Sequence, residues 1–547
     1  MKLGKLVLSS FFVAALCGAA RAQDQHQHEH GAHEELGQVN FRVSCTPAAQ
    51  KQFNRADALL HSFGYEQADR AFNDVLKTDP DCVMAYWGIA MSQYHPIWAP
   101  PTAEELKKGL AAVMQARSRP IKTDRERDYI AAIETFYKDH DKIDHPTRTL
   151  AYEKAMQQIY TRYPDDREAV IFYALSLLGT ASSRPVDKTF AKQKRAVEIL
   201  NPVIAREPNH PGVAHYVIHS YDYPELASLA LPAARSYAKI APSSPHALHM
   251  PTHIFTRLGL WHESIQSNIA SADSAKRLVA MTHPGSGSFD QLHAMDYLVY
   301  GYLQGGQIQK ARLVLDEMKT IDKLDGYVIA SAYSFAAAPA RYAVERGRWA
   351  DAAKLELYPA SFPWNRFPQA EAITFFARAI GSARSGAPAE AAKDVLRLEA
   401  LRQILINSKD PYWPTQVEIQ KLGAMAWIAK AESKNDEALK ILRSAAELED
   451  STEKHPVTPG SIIPARELLG DLLLELGRPG DALKEYESSL MTSPNRLKGL
   501  YGAGRAAELA GDKKKAKEFY VKLIAVCDKA DGDLPELLHA KKFLGGK

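Results

Sequence analysis

Residues 53–82, FNRADALLHSFGYEQADRAFNDVLKTDPDC, place apolar side chains three and four positions apart on either side of a break at Gly64. That period puts them on one face of an α-helix, so the stretch predicts two amphipathic helices joined by a glycine turn. Ala68 and Phe72 fall on the second helix, and Pro80 follows its end. The same offsets return near the C-terminus. ARELLGDLLLELGRPGDALKEYESSLMTSPN carries Gly470, Gly477, Ala482, Tyr486 and Pro494, and LYGAGRAAELAGDKKKAKEFYVKLI carries Gly504, Gly511, Ala516 and Tyr520. Ala482 to Ala516 and Tyr486 to Tyr520 are both 34 residues apart. Looser units turn at Gly259 with Ser264, at Gly305-Gly306 with Ala311, at Gly347 with Ala352, at Gly386 with Ala391 and near Asn435 with Ala438. Between residues 102 and 185 the pattern predicts helices over 104–115, 124–138 and 147–163 without repeat signatures. No strand alternation or Gly-rich phosphate loop competes with the helical pattern.

A 34-residue period with a small residue in the first helix, a glycine turn, and Ala, Tyr or Phe, then Pro in and after the second resembles the tetratricopeptide repeat (TPR) family. The N-terminal block LHSFGYEQADRAF and the later TPGSIIPARELLGDLLLELG also resemble exported bacterial TPR proteins of unassigned function. The resemblance implies an all-α fold, an α-solenoid of about eight or more TPR-like helix-turn-helix repeats forming a right-handed superhelix with a concave groove. On that scaffold the first helices line the groove, and most such arrays bind a protein, a peptide or a small molecule.

The N-terminus changes the compartment. Lys2 and Lys5 precede an apolar run that ends in Ala20-Arg21-Ala22, the pattern of a secretory signal peptide cut near Ala22, so the chain is expected to be periplasmic or secreted. No later segment has the apolar length of a membrane-spanning helix. In an oxidising compartment Cys45 and Cys82, which flank the first predicted helix pair, are a candidate disulfide, and three unpaired core cysteines are the alternative. The chain then divides into a signal peptide (1–22), a disordered His-rich tail (23–40), N-terminal repeats (41–100), degenerate helical repeats (101–206), central His-rich repeats (207–320), further repeats (321–450) and C-terminal repeats (451–547). The tail holds His26, His28, His30 and His33, which read as a solvated linker or as a loose Zn²⁺ or Cu²⁺ binder.

Charge excludes more than it suggests. A net of +3 from 68 basic and 65 acidic residues gives no basic stripe for nucleic acid. The histidines are more informative: nine of the chain's 19 fall within the 84 residues from His210 to His293. His215 and His219 are spaced i, i+4. His246, His249 and His253 follow at i, i+3 and i+7, and His293, Asp296 and Tyr300 repeat that spacing. Each set marks one helical face, so three successive first helices are expected to present imidazoles to one stretch of groove.

An i, i+4 histidine pair can put two nitrogens on one metal ion. The candidate metal ligands are His215, His219, His253 and His293, for Zn, Fe or Cu, with Asp296 as ligand, orienting group or general base. Tyr216 stands where the HExxH motif has its glutamate, so a zincin mechanism lacks its base. A metal-free alternative is a ligand groove built from His246, His249, Arg257, Tyr221, Tyr223, Tyr300, Trp87 and His95, and a third is histidines that pack helix junctions. His61 faces the same groove in this reading, and Arg341 is a groove cation or a structural ion pair. Two functions stay open: an exported repeat protein binding a partner or ligand, with or without a transition metal, and a metal-dependent hydrolytic or oxidative enzyme using the same His/Asp cluster.

Overall fold

One turn recurs along the chain. In it a residue of left-handed backbone is followed by an N–H that donates to the carbonyl five positions back, as in Leu260 to Phe255, Gln307 to Tyr302, Arg478 to Leu473 and Asp512 to Ala507. This is the helix C-terminal motif in which φ > 0 lets the last carbonyls find donors. In eight of these turns a small side chain that is almost wholly buried stands four residues after that N–H: Ala68, Ser264, Ala311, Ala352, Ala391, Ala438, Ala482 and Ala516. Those eight positions mark eight helix-turn-helix units. The first helix ends at the turn, and the small residue lets the second helix lie close against it.

The computed structural model describes residues 34–97, 100–184 and 186–545. The expected signal peptide and the four tail histidines lie outside them. Among the described residues there are 26 α-helices, two short 3₁₀ helices and no strand, with Gly287 and Leu324 forming one isolated bridge. No described helix is long and apolar enough to cross a membrane. The fold is thus an all-α array of TPR-like helix pairs, and all these helices belong to one unit, residues 35–547. The stretch without repeat signatures is helical over Ala103–Arg117, Asp124–Tyr137 and His145–Arg162.

Aromatic side chains seat on glycines of the neighbouring helix. A Cβ at Gly470 or Gly502 would come within 2.7 or 2.4 Å of the Tyr486 ring, one at Gly504 within 2.5 Å of Tyr520, and one at Gly88 within 2.4 Å of Phe72. The repeat-position tyrosines and Phe72 therefore set the spacing of successive pairs.

Three features go beyond a simple stack. The helix Pro47–His61 packs on Pro211–Tyr221, and Phe289–Gln304 packs on Leu497–Leu509, so elements far apart in sequence meet. The segment 451–464 runs as a strap across the central helices. Its Lys454 donates to Asp222, Glu453 pairs with Lys188, and Tyr333 donates to Thr458 at 3.0 Å. Trp261 Nε1 donates to the Asn495 carbonyl at 2.7 Å, and Gly259 lies against Pro494 and Asn495. Cys45 and Cys82 are bridged, closing 37 residues around the first helix pair, while Cys527 is a buried free thiol.

One expectation needs correction. Residues 35–40, assigned to a disordered tail, are ordered: Gln38 N–H donates to the Asn209 carbonyl at 2.9 Å, Glu35 and Ser243 exchange hydrogen bonds, and Leu36 is buried with the adjoining Phe41.

Candidate metal centre

Six imidazoles converge between the helices Pro211–Tyr221, Pro245–His249, Pro251–Arg257 and Phe289–Gln304. They fall into two adjoining triads. His215, His219 and His246 each bring one ring nitrogen within 4.8 Å of the others, and so do His249, His253 and His293. Each triad is an i, i+4 pair plus a third histidine from another helix. The triads touch where His219 meets His253, with ring centroids 6.2 Å apart, and where His246 meets His249, at 6.5 Å. One aromatic ring backs each: Phe63 lies 4.3, 5.5 and 5.6 Å from His215, His219 and His246, and Tyr297 lies 4.8, 5.6 and 5.2 Å from His249, His253 and His293.

Hydrogen bonds from outside the nest fix which nitrogen faces inward. His215 Nδ1 lies 2.7 Å from the His61 carbonyl, which only accepts, so Nδ1 carries the proton and Nε2 is a bare lone pair. His253 Nδ1 lies 2.9 Å from Asp222 Oδ2, with the same consequence. His249 Nδ1 lies 2.8 Å from Asn268 Oδ1, and that amide is oriented because its Nδ2 donates to Thr252 Oγ1 and the Ser264 carbonyl, both at 2.8 Å. His249 Nε2 and His253 Nε2 are therefore both acceptors, and they stand 3.2 Å apart. His215 Nε2 stands 3.1 Å from His246 Nε2. Each triad also holds a buried nitrogen without a hydrogen-bond partner, His219 Nε2 in one and His293 Nδ1 in the other.

The electrostatics favour neutral rings. Burial, reinforced by neighbouring histidines, holds His219, His246 and His249 well below the usual imidazole value, and His215 and His293 down to about 3. His253 is lowered by burial despite its contact with Asp222. Burial opposes ionisation of Asp222, but Lys454 at 3.0 Å, Arg257 at 2.9 Å and His253 hold its carboxyl well below the ordinary range. Neutral imidazoles with outward Nδ1–H and inward Nε2 are the form that ligates metals, and a carboxylate behind a histidine orients it. The residues present thus fit a transition-metal ion in each triad.

The four metal candidates read from the sequence divide two and two: His215 and His219 in one triad, His253 and His293 in the other. His246 and His249, assigned to a ligand groove, complete the triads. For these two the groove expectation needs correction, because His246 and His249 are buried in the interior, at 7 and 3 % exposure, beside the other four rings. The remaining groove residues do not share one surface. Trp87 is core, edge-on to Phe41 and Phe172; His95 packs on Tyr65; Tyr223 accepts from Gln193 and packs on Phe190; Tyr221 is half-buried. Arg257 and Tyr300 line a cavity of about 440 Å³ with Tyr333, Tyr412, Trp413 and Lys454. Asp296 does not reach either triad; its Oδ1 accepts from Arg341 at 3.3 Å, so Arg341 serves a buried ion pair.

Sequence reasoning did not find Asp222, Asn268, Phe63 or Lys454. Asp222 had a local signal, an acid three residues after the second histidine of HxxxH. Lys454 had none, because it arrives from 232 positions away.

No protein-family model matches the chain, and no curated protein sequence matches it. Among solved structures the chain is similar to the Cut9–Hcn1 hetero-tetramer of the APC/C, with 12% identity over 91% of this chain and 90% of that one and a TM-score of 0.30. A tetratricopeptide repeat protein from Parabacteroides merdae gives 13% identity over 56% of this chain and 100% of that one, with a TM-score of 0.28. The human IFIT1 dimer with m7Gppp-AAAA gives 11% over 81% and 90%, with a TM-score of 0.36.

Proposed function

We propose that this chain is an exported helical-repeat metalloprotein whose two imidazole triads hold two transition-metal ions, copper foremost, beside a cavity that takes a small ligand. The observation that carries the reading is the 3.2 Å approach of two acceptor nitrogens, His249 Nε2 and His253 Nε2. Two lone pairs repel at that distance unless a cation lies between them. A proton would make one ring an imidazolium, which burial and the neighbouring rings disfavour. A tetrahedral ion with bonds of 2.0–2.1 Å spaces its nitrogen ligands about 3.3 Å apart.

The donor set narrows the chemistry. All-imidazole triads without carboxylate or thiolate suit Cu, Zn or Fe rather than Mg or Mn. Asp222 is engaged by His253, Arg257 and Lys454, and Asp296 reaches neither triad, so neither stands beside the candidate ions as a free base to activate water. That favours the oxidative over the hydrolytic reading. Copper supplies one-electron and dioxygen chemistry when bound. The chain's own contribution is to fix tautomers through His61, Asn268 and Asp222 and to exclude water around the rings. Arg257 and Lys454 keep Asp222 ionised and also line the cavity, whose size fits a small molecule. Binding of a protein partner, which a repeat array suggests, is the second reading, and it belongs to outer surfaces because the buried nest meets no partner. The Cys45–Cys82 bridge supports an oxidising, periplasmic or extracellular location.

The test uses the full chain with His26, His28, His30 and His33 replaced by serine, so that tail binding is removed. After Cu²⁺ loading and dialysis against a weak chelator, the two triads should retain two copper equivalents. His249→Ala/His253→Ala should lose one, and His215→Ala/His219→Ala the other. No retained metal, or content unchanged in both double variants, would sink the reading.

A further inference from the structure

Behind the first triad lies a second kind of cluster. His61, Glu168 and His210 are all buried and each brings a ligand-type atom within 4.8 Å of the other two. The two oxygens of Glu168 are divided between them: Oε2 lies 3.0 Å from His61 Nε2 and Oε1 lies 3.0 Å from His210 Nε2. Asp57, one turn before His61 on Pro47–His61, adds a fourth group. It is 0 % exposed, its Oδ2 lies 3.5 Å from His61 Nε2, and neither of its oxygens has a hydrogen-bond partner.

A buried carboxylate without donors is costly, and proteins resolve such groups with donors or cations. Two carboxylates here face two imidazoles. Without a metal ion, neutrality requires two extra protons distributed over the two rings and the two carboxyls. One divalent cation would neutralise both carboxylates at once, replacing the proton on His61 Nε2. His61 Nδ1 would remain a donor to the Tyr216 hydroxyl, 2.9 Å away.

The geometry points to a third metal site, distinct in chemistry from the triads, in which His61, His210 and Glu168 bind one divalent ion of the Mn²⁺, Fe²⁺ or Zn²⁺ class and Asp57, 3.5 Å from His61 Nε2, supplies the second carboxylate beside it. Two imidazoles with two carboxylates form a harder donor set than six imidazoles, so the two kinds of site should sort ions differently. The site is built into the fold. Gly212 leaves the space that His61 fills, since a Cβ there would lie 2.5 Å from Nδ1. The His61 carbonyl in turn fixes the tautomer of His215, so an ion at this site steadies a ligand of the first triad.

Mn²⁺ is the probe, because the all-imidazole triads hold it poorly. In the full chain with the four tail histidines replaced by serine, paramagnetic resonance should show one bound Mn²⁺ per chain. Glu168→Gln should abolish it and Asp57→Asn should weaken it at least tenfold, while His249→Ala/His253→Ala leaves it unchanged. If Glu168→Gln fails to fold by circular dichroism, Asp57→Asn decides. Absence of bound Mn²⁺ and of a third Zn²⁺ equivalent overturns the proposal. So does Asp57→Asn that keeps full affinity while raising the melting temperature, because Asp57 is then simply a protonated core residue. Loss of the triad ions with the Mn²⁺ site intact would instead sink the two-ion reading alone.

Discussion

Phe63 occupies the left-handed turn position, φ +55°, that glycine fills in six of the eight equivalent turns, and its ring centroid lies 4.3 Å from that of His215. A left-handed backbone costs a non-glycine residue about 1–2 kcal/mol. Here the cost is offset by a ring that backs the whole first triad, an arrangement typical of strain held at functional sites. Phe63→Gly should relieve the backbone yet lose a buried ring valued at about 3–5 kcal/mol, for a net destabilisation of about 1–4 kcal/mol in urea unfolding. Metal affinity should fall at the first triad and stay unchanged at the second.

Asp222→Asn keeps the size of the side chain but removes the charge that orients His253 and balances Arg257 and Lys454. The expected effect is a 10–100-fold loss of affinity in the second triad, read by chelator competition, with the first triad unaffected. Equal weakening of both triads would show that Asp222 acts on the fold rather than on His253.

The stability of the metal-free protein should depend on Asp296. Burial raises its carboxyl to about 6 against the pull of Arg341, and Oδ2 has no hydrogen-bond partner. The folded state therefore binds more protons than the unfolded one between about pH 4 and 6, and stability falls as pH rises through that window, then levels off. The drop is on the order of 2–3 kcal/mol. Asp296→Asn should flatten that part of the profile of denaturation midpoint against pH.

Cys45→Ser/Cys82→Ser should lower the stability of the N-terminal pairs by about 3–4 kcal/mol, the chain-entropy value for the closed loop of 37 residues. Reduction of the intact protein by dithiothreitol should reproduce the shift, and the variant should no longer respond to it.

Much of the array was legible because its information is local. A glycine four or five positions before a small residue, with an aromatic four further on, marks Gly477, Ala482 and Tyr486 without reference to any other helix. The N-terminal turn shows the limit: Gly64 looks like its pivot, but Gly64 has φ −74° and the left-handed residue is Phe63. Within the nest, spacing identified the right residue type but not the partition. His246 and His249 lie three apart and share a face, yet they serve different triads, while His249 pairs with His253 across Pro251. Asp222 stands just beyond the helix Pro211–Tyr221, where helical spacing no longer applies, and Asn268 and Lys454 come from segments whose own patterns give no hint of the histidines.

The contact between Asp222 and Lys454 at 3.0 Å has an evolutionary consequence. Repeat arrays usually lengthen or shorten by whole units, because each unit touches only its neighbours. Here a carboxylate just after the first His-bearing helix and an ammonium some five units later must meet, and Trp261 must likewise reach Asn495. One extra pair would displace Lys454 by roughly the 8–10 Å between packed helices, leaving Asp222 one cation short. Insertion of a unit between residues 222 and 454 would thus break this contact, whereas substitutions there leave the spacing intact.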